Sequence, residues 1–241
     1  MLNKSQIILL HTIKHGDNGI VLQCYSNDNG RQALYLRVSS KNKVIISNLH
    51  RLSVLNVVTY NNGSTMPFVK ELEPAARFDS IRTNIYKNTI AIFLSELLVK
   101  CIRESEANLQ LYGFLASSIN ILEHMHDGFV NFHIHFLVHL CRMMGFMPVD
   151  NYSSESLFFD VQTARFCEKM EGGENGFSKS ESELLHQILN TSAINSCAIK
   201  CNGELRLSFS KKMINYLSHH LGINFEMKSM DVLHEVFSDL K

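Results

Sequence analysis

The period of the hydrophobic pattern changes once along this chain, near residue 79, and no motif constrains the fold as strongly. Before the change, short apolar or alternating runs at 6–13, 20–25, 32–38, 52–60 and 65–72 are separated by turn clusters such as His15-Gly16-Asp17-Asn18-Gly19, Asn27-Asp28-Asn29-Gly30 and Asn61-Asn62-Gly63. Asn, Asp and Gly tolerate the positive φ of tight turns, so these segments predict five short strands and hence a small closed barrel over 1–78. After the change, Ile90, Phe93, Leu94, Leu97, Leu98, Cys101 and Ile102 recur at the spacing of one helix stripe. Helices are also predicted over 108–125, over 131–144 with Phe132, Phe136 and Leu140 as the buried stripe, and over 209–221 and 229–240. Another begins at Ser180, where Ser180 and Glu183 match a capping box. The stretch 149–179 is irregular. The predicted class is α+β with two domains: a five-stranded barrel over 1–78, then a mainly helical domain over 79–241 that carries the irregular insert.

Charge sharpens this division. The chain balances 23 Lys and Arg against 23 Asp and Glu, which excludes a uniformly cationic DNA-coating protein and equally an acidic disordered tail. The zero is an average over unlike parts: the net charge is +4 over 1–80, −3 over 81–160 and −1 over 161–241. A basic module joined to a neutral or acidic scaffold is the pattern of an anion-binding domain. No apolar stretch reaches membrane-spanning length, since even 89–102 contains Ser95, Glu96 and Lys100. The cysteines, among them Cys197 and Cys201, are scattered without metal-site spacing and follow no secretory signal, so reduced thiols in a cytoplasmic protein are expected.

The third strand carries the most informative chemistry. Period-two alternation puts Leu34, Leu36 and Val38 on one face, and Arg31, Ala33, Tyr35 and Arg37 on the other. With Lys41, Lys43 and Arg51 nearby, this face could track a phosphate backbone while Tyr35 stacks on a base; the competing reading is a solvated strand with ordinary surface charges. His133, His135 and His139 fall largely off the apolar stripe of their helix and are expected to be surface or boundary histidines rather than metal ligands. Without a P-loop, dinucleotide fingerprint, nucleophile elbow or acidic cluster, catalysis has no visible seat. The alternative function is a helical interaction module whose barrel binds a protein partner. An enzyme built on the three histidines and a metal ranks last.

Several segments, taken in order, resemble the bacterial recombination mediator family RecO: Thr12-Ile13-Lys14-His15-Gly16-Asp17, Gly30-Arg31, Phe93-Leu94-Ser95-Glu96-Leu97-Leu98, Asn131-Phe132-His133-Ile134-His135-Phe136-Leu137, and Met144-Gly145-Phe146-Met147-Pro148. The resemblance implies an OB-fold that binds single- and double-stranded DNA, ahead of a helical domain. It implies a non-enzymatic role: annealing strands coated by single-strand binding protein and, with RecR, loading RecA. It also implies a groove for the acidic, apolar tail of single-strand binding protein, for which Lys100, Arg103 and Arg142 are candidate cations. Many members carry a four-cysteine zinc site where this chain has Val149-Asp150-Asn151-Tyr152-Ser153-Ser154. The zinc-finger region is therefore expected to be degenerate, with no metal or other cofactor and with the insert held by packing of Tyr152, Phe158, Phe159 and Phe166.

Overall fold

Alternating side chains close the first strands into a barrel. The computed structural model describes residues 2–47, 49–61, 63, 66–169 and 176–238, without the side chains of Ser196 and Cys197. Strands β1 (Leu2–His15), β2 (Gly19–Ser26), β3 (Gly30–Arg37), β4 (Val54–Tyr60) and β5 (Phe68–Pro74) form a closed barrel of order β1-β2-β3-β5-β4, the OB-fold arrangement. The expected start of the last strand, Thr65, lies outside the described residues. Leu34 and Leu36 turn inward as the alternation requires and join Ile7, Leu9, Leu22 and Leu55 in the core. β1 is long enough to pair with β4 along its first half and β2 along its second, and a register shift between Leu9 and His11 bends it between the two. A short helix that the alternation did not reveal, α1 (Lys43–Ser47), places Ile45 and Ile46 against the barrel core.

Helices α2 (Asp79–Thr83), α3 (Ile85–Cys101) and α4 (Leu109–His124) follow. Secondary structure changes after residue 78, but compactness divides the chain later, into units 1–123 and 124–241. The reason is that these helices are tied to the barrel. Ser95 donates to the Leu10 carbonyl, Arg51 reaches both Leu10 O and Ser95 Oγ at 3.3 Å, and Tyr112 donates to Gln6 at 2.9 Å. Lys87 is buried at the helix junction. It donates to Ser80 Oγ at 2.7 Å and Glu123 O at 2.8 Å, and burial lowers its pKa.

The second unit contains α5 (Phe132–Met143), the hairpin β6 (Phe158–Asp160) with β7 (Arg165–Cys167), α6 (Lys179–Leu189), a 3-10 turn (Ala193–Ala198), α7 (Gly203–Leu221) and α8 (Ser229–Ser238). The end of the last expected helix, residues 239–240, lies outside the described residues, as does most of the glycine cluster, 172–175. α5 corrects the expectation of surface or boundary histidines at His133 and His135, while His139 is half-buried. The helix is buried on nearly every side, leaving His133 only 2% and His135 only 5% exposed. The capping box is also displaced: Ser178 caps α6 with Glu181, because Glu181 is buried and accepts from Ser208. Asn202 starts α7 earlier than the apolar pattern alone indicated.

The insert is packed on aromatic rings. Phe159 meets Phe166, Phe177 and Tyr216 at centroid distances of 5.2, 5.2 and 5.6 Å. Tyr152 adds an edge contact to Phe166 at 5.3 Å and stacks on His186 at 4.7 Å. His186 Nδ1 lies 2.7 Å from Asp150 Oδ1, and Asn190 donates to Asp150 Oδ2 at 2.7 Å. These residues do not fit the four-thiolate zinc site of the resembled family. Cys167 is the one cysteine in 149–179, its Sγ faces the carbonyls of Phe158 and Lys169 at 3.2 and 2.9 Å, and no three His, Cys, Asp or Glu side chains converge among the described residues.

Candidate nucleic-acid interface

The outward face of β3 is built by register. Arg37 lies opposite Gly19, Tyr35 opposite Val21 and Arg31 opposite Tyr25, so each pair shares one side of the sheet. Among the described residues β3 meets β5 through one parallel bridge, Tyr35 to Phe68, while Phe68 in turn lies opposite Tyr60 on β4. Four rings therefore gather on one outer surface. His15 meets Tyr35 edge-on at 5.8 Å, Tyr35 meets Phe68 at 5.1 Å, and Phe68 stacks on Tyr60 at 5.5 Å. The expected aromatic, Tyr35, is thus one member of a larger group. Period-two reading of β4 and β5 could have turned Tyr60 and Phe68 outward, but strand pairing in the closed barrel is what sets them beside Tyr35.

The predicted cations divide into two sets. Arg37, Lys41 and Lys43 are exposed and make no ion pair among the described residues. Arg31 corrects the picture of a freely projecting cation: its Nη1 donates to Val99 O at 2.6 Å and Ile102 O at 2.5 Å, capping the end of α3. Burial and the nearby Arg103 pull its pKa below the ordinary value. Arg51 is likewise half-buried and directed at Leu10 and Ser95. Gly30 makes Arg31's placement possible. It has a φ of +61°, and a β-carbon there would stand 2.2 Å from Glu106 O, while Arg31 N donates to Glu104 O at 3.0 Å.

The candidate partner cations are divided between the units, Lys100 and Arg103 in the first and Arg142 in the second. Lys100 pairs with Glu96 at 3.6 Å on α3, Arg103 is exposed just beyond that helix, and Arg142 is exposed in the last turn of α5 in the second unit. A residue the pattern did not single out, Arg206, lines a cavity of about 420 Å³ with His133, Leu207, Met230, Leu233 and Phe237. Arg206 is buried, donates to Asn131 Oδ1 at 3.1 Å and Cys201 O at 3.2 Å, and makes no ion pair among the described residues. Asn202, the cap of α7 four residues before it, is the sequence feature that could have placed Arg206 in the first turn of that helix.

Comparison with known proteins adds a second line of observation. The family described as recombination protein O, C terminal, matches residues 82–230. A DNA repair protein RecO of Flavobacterium johnsoniae is 29% identical over 98% of this chain and 99% of its own length. RecO proteins of Flavobacterium psychrophilum and Azobacteroides pseudotrichonymphae are 29% and 25% identical, each over 98% of this chain. None of the described helices is long and apolar enough to cross a membrane.

Proposed function

The chain belongs to the RecO family, and from that premise we propose that its barrel binds DNA through the surface carrying Tyr35, Arg37, Lys41 and Lys43. Its role lies in DNA repair and recombination. The observation that carries the DNA reading is the set of three exposed cations, without an ion pair among the described residues, beside an outward aromatic on an OB barrel. Cations there neutralise phosphates and release counterions, while the ring supplies a face to a base. Arg31 and Arg51 act one step back, fixing β3 and the barrel against α3.

The family resemblance extends the proposal to binding both single and double strands, annealing complementary strands coated by single-strand binding protein and, with RecR, loading RecA in the cytoplasm without catalysis. The Arg206 cavity is the candidate seat for the acidic, apolar tail of single-strand binding protein: Leu207, Met230, Leu233 and Phe237 line it beside a buried guanidinium that makes no ion pair among the described residues, with Glu204 as the one acid on the same lining. Lys100, Arg103 and Arg142 are the more exposed alternatives for that contact. The insert, by this reading, needs no zinc. Fluorescence anisotropy with single-stranded DNA at two salt concentrations tests the core of the proposal. Binding that weakens steeply with salt supports it, and absence of binding at low salt overturns it.

A further inference from the structure

The outer surface of the barrel carries a row of side chains that the cationic site does not explain. Followed along the backbone register, Ile13 on β1 leads to Val21 on β2, Tyr35 on β3, Phe68 on β5, Tyr60 on β4, and back to β1 at Leu2. The row climbs because strands in a closed barrel are tilted and staggered. Every position on it is apolar or aromatic, and none belongs to the barrel core, which lies on the opposite face of each strand. Ile13, Tyr60 and Leu2 are 42%, 38% and 53% exposed. Tyr35 and Phe68 are half-buried, and Val21 is buried at 8% exposure. Outward positions of a solvated antiparallel face are ordinarily polar, so an apolar and aromatic row that surfaces at Tyr60, Leu2 and Ile13 marks a contact surface.

Charge and ring chemistry select the occupant. The adjoining row toward the β1–β2 turn carries Arg37, and Lys41 and Lys43 follow β3, so this edge sets three cations against one acid of the turn, Asp17, while the row on the other side carries Lys4 and Glu71. Its middle is aromatic on three consecutive strands, with centroid spacings of 5.1 and 5.5 Å. Planar rings in series beside a cationic edge match bases in series beside a phosphate backbone. We infer that the Tyr35, Phe68 and Tyr60 row is a stacking surface for unpaired nucleobases, with Tyr60 the residue that makes the protein prefer single strands to duplexes. This rests on the DNA-binding reading above and adds a division of labour. Duplex bases are already stacked on one another and offer no free face, so duplex DNA meets the cations alone, whereas a single strand meets both.

The test compares anisotropy titrations of three probes: a thymidine homopolymer, an abasic strand with the same number of phosphates, and a duplex. The wild-type chain binds the base-bearing strand about tenfold more tightly than the abasic one. Tyr60→Leu removes that difference while leaving abasic and duplex affinities and the salt slope in place, and Tyr60→Phe keeps it. Equal wild-type affinity for the two single strands overturns the inference, as does an equal loss on all three probes in Tyr60→Leu. The wild-type comparison stands without any substitution. Wild-type binding to none of the probes at low salt overturns the DNA reading itself, which separates that failure from failure of stacking.

Discussion

The Tyr35 ring lies directly on Gly19: a β-carbon at residue 19 would stand 2.6 Å from the Tyr35 hydroxyl and 2.7 Å from its ring. Glycine is required there by close approach. The His15 carbonyl would stand 2.6 Å from that β-carbon as well, so Gly19→Ala must displace both the β1 backbone and the ring, and with it the aromatic row that Tyr35 shares with Phe68. We expect a loss of about 1–3 kcal/mol in stability, the usual range for overpacking, together with weaker single-strand binding. Urea unfolding paired with anisotropy checks both.

Arg31 distinguishes a structural cation from a phosphate contact on the same strand. Its guanidinium satisfies two carbonyls at the end of α3, so Arg31→Ala leaves both without that donor. The expected cost is about 2 kcal/mol, in the range for hydrogen bonds to charged groups. The salt slope of DNA binding should not move. A lowered slope with unchanged stability would reverse this assignment.

The buried histidines of α5 predict loss of stability in acid. Burial lowers the pKa of His133 to about 3, with Arg206 adding to the effect, and lowers that of His139 to about 4, aided by His135 and Arg142. Burial also lowers His135, against the opposing pull of its hydrogen bond to Thr191. Between the unfolded value of about 6.5 and these folded values the unfolded chain binds more protons, so stability is full above that unfolded value and falls as pH drops through the window. The limiting slope is about 1.4 kcal/mol per pH unit for each histidine. Urea unfolding at pH 7 and pH 5 measures it, and His139→Leu should flatten the dependence.

The insert should be indifferent to chelation. Its staple is the Phe159 cluster together with Tyr152 on His186, and neither involves thiolates. We expect the melting temperature to be unchanged by a zinc chelator, whereas Phe159→Ala should cost about 3–5 kcal/mol as a fully buried aromatic. Stoichiometric zinc in the purified protein would contradict this.

Much of this fold is legible from side-chain period alone, because β3 alternates cleanly and the α3 stripe of Ile90, Phe93, Leu94, Leu97 and Leu98 is buried where the spacing puts it. Among the histidines of α5, His139 is half-buried as a boundary position, whereas His133 and His135 are buried because a stripe argument assumes one wet face and α5 has almost none. Neutral imidazole then behaves as a core ring. The α6 cap slipped by two residues because Ser178 and Ser180 both precede a glutamate at the right spacing, and only the burial of Glu181 decides between them. At the candidate site, alternation correctly turned Arg31 and Tyr35 outward from the barrel. It could not reveal that the end of α3 waits for Arg31, nor that β4 and β5 bring Tyr60 and Phe68 to the same surface, since both facts depend on tertiary closure.

The central claim is that the barrel surface bearing Arg37, Lys41 and Lys43 binds DNA phosphates. The most direct measurement is the salt dependence of single-strand affinity for the wild-type chain and for Arg37→Ala/Lys41→Ala/Lys43→Ala combined. Each lost phosphate contact removes about 0.7 from the slope of log affinity against log salt on a single strand, so the triple variant should lose about 2 from the slope and bind more weakly at low salt. An unchanged slope and affinity in a folded triple variant would contradict the account.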